Sequence, residues 1–163
     1  MESLFWLAGS LAAHGIWSVS DGSPLVPMLG HDLRSGQQHM MRLLGDNLED
    51  GVALGRDKLE SNDDEAARAV LIFDAYITDE HGETDALMVD GRDYDSNAGV
   101  TLAVPYRAAD KPEGFAVFAP KFLSFSGSES QLPDLAEVFF QGVDAHGEAA
   151  AVWNQYWSES RSS

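Results

Sequence analysis

Apolar and polar positions fall into blocks of different period along this chain. Glu2–Ala13 opens with an almost uninterrupted small and apolar run, Leu4–Ala13 (LFWLAGSLAA), predicted as a core helix that stops at Gly15. Ile16–Ser20, Asp21-Gly22 and Leu25–Leu29 predict a short hairpin around an Asp-Gly turn. Pro24 and Pro27 confine its second arm to an edge or an irregular segment. From about Gln37 to Glu60, Met41, Leu44, Leu48, Val52 and Leu59 recur at helical steps. Gly45, Gly51 and Gly55 weaken this helix, kinking it or admitting a close backbone neighbour.

The polar break Ser61–Glu65 gives way to period-two patterning. Ala69–Thr78 (AVLIFDAYIT) is rich in β-branched and aromatic residues, and His81-Gly82 forms a turn before Thr84–Asp90. Val100–Tyr106 and Phe115–Phe125 add two further strands, joined by the polar loop Asp110–Gly114. Strands that follow one another without intervening helices make an antiparallel meander. Leu71, Phe73, Ala75 and Ile77 share one face, and Val70, Ile72, Asp74 and Tyr76 the other. Both faces are largely apolar, so helices should cover one fully and the other in part.

Ser124–Ser130 is a Ser/Gly-rich connector, and Pro133 starts a helix carrying Leu135, Val138 and Phe139. His146-Gly147 breaks it. Ala149–Trp157 then sets Ala150, Trp153, Tyr156 and Trp157 at helical spacing, a docking face. The tripeptide Ala-His-Gly occurs twice, at residues 13–15 and 145–147, too short a match to define a repeat. The expected fold is α+β: an antiparallel four-stranded meander over about residues 69–125 with an extra N-terminal hairpin, flanked by N-terminal, middle and C-terminal helices. It forms one domain over 1–160 with a frayed tail at 161–163.

Composition narrows the partners. The 163 residues carry 27 Asp and Glu against 10 Lys and Arg, a formal net charge of -17. Such a surface repels phosphate backbones and anionic headgroups, which argues against nucleic acid or a membrane, and it attracts cations and basic proteins. Aromatic residues at 10% distinguish the chain from an acidic disordered one. With no cysteine there are no disulfides, thiolate nucleophiles or Cys-ligated metals, which fits a cytoplasmic setting. The apolar N-terminal run has a signal peptide's length, but Met1-Glu2-Ser3 lacks the positive start such peptides need.

Candidate chemistry is sparse. Asp93, Asp95 and Asn97 place oxygen ligands at alternate positions of a loop, as calcium or magnesium requires, but Ala98 and Val104 stand where a calcium loop needs Gly and Glu. The competing reading is a turn closed by its own Asp and Asn side chains. Asp74, Asp85, Asp90 and Arg92, with Glu83 nearby, form a second set. Strand carboxylates can hold magnesium for hydrolysis, yet Arg92 stands where a catalytic Lys belongs and cannot act as a base. The five histidines show no metal-ligand spacing, and no phosphate loop or nucleophile elbow is present. Trp17, Trp153, Tyr156 and Trp157 are candidates for a ligand pocket. Three function classes follow: a protein-interaction, inhibitor or adaptor module engaging a basic partner, which leads; a cation or small-ligand binding module; and a metal-dependent hydrolase or nuclease. The surplus of apolar stripes also admits a homodimer.

Overall fold

The computed structural model describes residues 1–80 and 82–159. The architecture is α+β, with α1 (Glu2–Val19), β1 (Met28–Asp32), β2 (Gln38–Arg42), α2 (Leu48–Ser61), β3 (Arg68–Asp79), β4 (Gly82–Asp93), β5 (Ala98–Arg107), β6 (Ala116–Val117), β7 (Lys121–Phe125), α3 (Leu132–Asp144) and α4 (Gly147–Tyr156). The sheet runs β2-β1-β3-β4-β5, every pair antiparallel. Both β6 and β7 lie along the outer edge of β5, β6 beside Tyr106 and Arg107 and β7 beside Val100–Ala103.

The meander is where the period-two pattern put it. Register runs from Arg68↔Asp93 to Asp79↔Gly82, so the long β3–β4 hairpin forms the centre of the sheet. The sequence expectation of one strand over Phe115–Phe125 divides into β6 and β7, with Pro120 between them. Proline cannot donate to a ladder, so pairing breaks there. The expected His81-Gly82 turn falls partly, and the 161–163 tail wholly, outside the described residues.

Alternation sends Val70, Ile72, Leu87, Val89, Val100 and Leu102 into a core with α1, α3 and α4. The opposite face sends Leu71, Phe73 and Ala69 to Leu43 and to Leu59 of α2. One face is therefore covered by α1, with α3 and α4 packed on it in turn, and the other by α2. Burying each large apolar side chain is worth about 1.5–3 kcal/mol.

Three boundaries differ from the sequence expectation. Helix α1 does not stop at Gly15 but runs on to Val19, burying Ile16 and Val19. Gly15 is used for contact: a Cβ there would sit 2.8 Å from both Leu87 Cδ atoms and 3.2 Å from Ile72 Cδ1. Asp21-Gly22 then terminates the helix instead of turning a hairpin, with Gly22 at φ +89° and its N–H donating to the Val19 carbonyl. The hairpin is real but later, Met28–Asp32 with Gln38–Arg42, and its loop carries Gly36 at φ +91°. Pro24 and Pro27 precede β1, which pairs on both sides. The middle helix begins only at Leu48, where the Asn47 side chain accepts from Asp50 N–H at 2.8 Å. Gly51 and Gly55 are buried and let α2 lie close to the sheet: a Cβ on Gly55 would meet Leu43 Cδ1 at 2.7 Å.

Candidate functional site

The carboxylates singled out on the β3–β4 hairpin do not converge. Asp74 pairs in register with Leu87, and Asp85 with Tyr76, which places both acids on the α1 side of the sheet. Asp90 stands opposite Leu71 and Arg92 opposite Ala69, on the α2 side. Asp74 accepts the Tyr106 hydroxyl at 2.6 Å. Desolvation lifts the Asp74 carboxyl above its ordinary range, against the Tyr106 hydrogen bond. Burial also lifts Asp85, with the nearby Asp74 charge adding to the rise. On the other face Arg92 donates to Asp90, to the Gly91 carbonyl at 3.0 Å and to Glu60 at 3.1 Å. The two halves are separated by the thickness of the sheet.

Asp93, Asp95 and Asn97 form the turn between β4 and β5. The Asp93 Oδ1 accepts from the Asp95 and Ser96 amides at 3.1 and 3.2 Å, while its Oδ2 lies 3.9 Å from Arg68 Nε. Asp95 turns away to Arg34, 2.6 Å distant. Asn97 sits at φ +54°, the left-handed position Asn tolerates well. The two carboxylates thus already hold backbone amides and arginines. Among the described residues no group of three or more His, Asp or Glu side chains is placed to hold a metal ion.

The C-terminal helices build a more distinct feature. Between α3 and α4 lies a pocket of about 340 Å³ lined by Phe140, Val143, Asp144, Trp153, Asn154 and Trp157. Val143 and Trp153 are buried, Phe140 and Trp157 half-buried, and Asp144 and Asn154 exposed. The Phe140 ring stands at 77° to Trp153 and 89° to Trp157, while the two indoles lie within 20° of parallel with centroids 6.4 Å apart. Val143 follows Phe140 by three residues on α3, so the two share one face, and Trp157 follows the last turn of α4 in extended backbone. Trp157 is fixed from behind, bridged to Val117, with the next amide, that of Ser158, donating to the Val117 carbonyl at 2.9 Å. From Glu129 to Glu159 the sequence has six acids and neither Lys nor Arg.

The aromatic expectation is thus divided. Trp153 and Trp157 line the pocket with Phe140, which sequence reasoning did not single out. Tyr156 packs at 82° against Phe115 instead. Trp17 lies elsewhere, beside a contact that no local pattern announced: His14 Nδ1 is 3.0 Å from His146 Nε2. Burial, followed by the fields of His146 and Arg42, holds His14 below its ordinary range and so neutral at pH 7.

Among the described residues no helix is long and apolar enough to cross a membrane. Comparison of the chain with protein-family models, with curated proteins and with solved structures gave no match.

Proposed function

We infer that this protein is a binding module whose α3–α4 pocket receives a Lys or Arg side chain from a basic protein partner. The observation that carries this reading is the aromatic pocket with Asp144 at its rim, set in a segment that has six acids and neither Lys nor Arg. Net charge alone selects no face, because exposed acids occur on α2, at the hairpin tip, in the β5–β6 loop and on α3 and α4. The rings supply what the charge lacks. A cation against an aromatic face gains about 0.5–2 kcal/mol, most where water is excluded. The flanking carboxylate adds attraction that speeds encounter and weakens with salt.

The test is a titration of the full chain with a Lys/Arg-rich peptide and with a Glu-rich peptide of equal length, followed by amide NMR shifts at low salt. The basic peptide should shift the resonances of Phe140, Trp153 and Trp157. Trp157→Ala and Asp144→Asn should each weaken its binding several-fold. Shifts confined to other surfaces, or binding unchanged in both variants, would sink this reading.

A further inference from the structure

We propose that His14 and His146 are the protein ligands of an imidazole-preferring transition-metal ion, copper(II) or zinc(II), held between α1 and the turn joining α3 to α4. The site is separate from the α3–α4 pocket, and the residues of that pocket supply no ligand to it.

Geometry carries the argument. Metal–nitrogen bonds of about 2.0–2.1 Å set two imidazole nitrogens about 3.3 Å apart on a tetrahedral ion and about 2.8 Å apart at adjacent corners of a square-planar one. His14 Nδ1 and His146 Nε2 are 3.0 Å apart, between these values. A tetrahedral ion also spaces the ring centroids by about 5.2 Å, and here they are 5.1 Å apart with the planes inclined by 38°. The nitrogens are thus within about 0.3 Å of either spacing. With an ion between them, each ring binds through the nitrogen that now faces its neighbour; the ring that now donates shifts its N–H to its other nitrogen, where the accepting ring already carries its own.

The surroundings fit such an ion. Neither ring makes another hydrogen bond among the described residues. Both are half-buried, so water can fill the remaining coordination positions. The Trp17 ring stands edge-on to both imidazoles, 5.9 Å from His14 and 6.1 Å from His146. The negative chain raises the local concentration of cations. One group opposes it: the charge of Arg42 is felt at His14. Imidazole suits copper and zinc, with copper(II) the tighter in the general order of divalent ions.

The experiment titrates chelator-treated full-length protein with copper(II) chloride by calorimetry and tryptophan fluorescence, and with zinc(II) chloride by histidine-ring NMR. Expected are one saturable site, quenching that is reduced in Trp17→Phe although binding persists, and zinc-dependent shifts of the His14 and His146 ring protons. His14→Ala and His146→Ala should each weaken copper binding at least about tenfold, no less than losing a supporting outer-shell group costs. Arg42→Ala should tighten it, and His39→Ala, which removes an exposed histidine, should leave it unchanged. Absence of a saturable site, or loss of binding equally in His39→Ala, would overturn the proposal. Should the alanine variants fail to fold, the wild-type ring spectra decide alone: zinc shifts absent from His14 and His146 also overturn it.

Discussion

Gly9 and Phe139 meet backbone to backbone. A Cβ on Gly9 would sit 2.8 Å from the Phe139 carbonyl carbon and closer still to its oxygen, and a Cβ on Gly142 would collide in the same way with Trp6. These reciprocal glycines let α1 and α3 approach more closely than any other side chain permits. Alanine would gain about 1 kcal/mol in helix propensity at either site. The collision is with backbone, which cannot swing aside, and overpacking costs about 1–3 kcal/mol or more. Gly9→Ala and Gly142→Ala should therefore lower the urea midpoint, and a raised midpoint would show that the two helices can part.

Acid should spare this protein at the two carboxyls that burial raises, Asp74 and Asp85, and Asp74 is the clearer case. Asp74 is raised by desolvation, so the folded state holds its proton more tightly than the unfolded chain. Its contribution to stability is largest at low pH, falls as pH rises from the unfolded value of about 3.9 through the raised folded one, and is constant above. The Tyr106 hydrogen bond favours the carboxylate, so Tyr106→Phe should move the Asp74 midpoint still higher. Carboxyl-carbon NMR titration reads this directly. An Asp74 midpoint at or below 3.9 would contradict it.

The two acids of the β4–β5 turn should behave differently on truncation. Asp93 is 7% exposed and holds two amides, whereas Asp95 and its partner Arg34 are both more than half exposed. Asp93→Ala should cost about 2–4 kcal/mol, from orphaned amides and the loss of a charge facing Arg68. Asp95→Ala should change stability by less than about 1 kcal/mol. Equal losses, both abolished by calcium chelation, would indicate an ion in the turn instead.

Chloride salts should raise the melting temperature between about 0.05 and 0.5 M, because the net charge of -17 repels itself and the screening length shrinks several-fold over that range. Potassium and magnesium should act alike at matched ionic strength, as far as the turn and hairpin carboxylates are concerned. A fall with salt would mean that attractive pairs such as Lys121–Asp79, 2.8 Å apart, outweigh the repulsion.

The meander was readable because its alternation persists along whole strands, with Val70 and Ile72 facing one way and Leu71 and Phe73 the other. The hairpin was misplaced because Asp21-Gly22 has the chemistry of both a tight turn and a helix stop, and only the burial of Ile16 and Val19 decides between them. Met41 and Leu44 kept helical spacing by coincidence: Met41 packs inward from strand β2, and Leu44 is 74% exposed. The C-terminal aromatic face was legible as a face. Phe140, its third ring, lies on a different helix, and the contact of His14 with a residue 132 positions away leaves no local signature.

Helix α1 is roofed by α3 and α4, which are made only after every strand of the sheet. Synthesis proceeds at roughly 5–20 residues per second, so on the order of ten seconds separate the appearance of Val19 from that of Leu132. Through that interval the sheet and α1 can meet, but Gly9 waits for Phe139 and Trp6 for Gly142. A chain cut short before residue 132 would keep that greasy flank uncovered, the kind of surface that chaperones recognise and that aggregates form around. Emergence of α3 and α4 is thus the event that closes the apolar flank of α1.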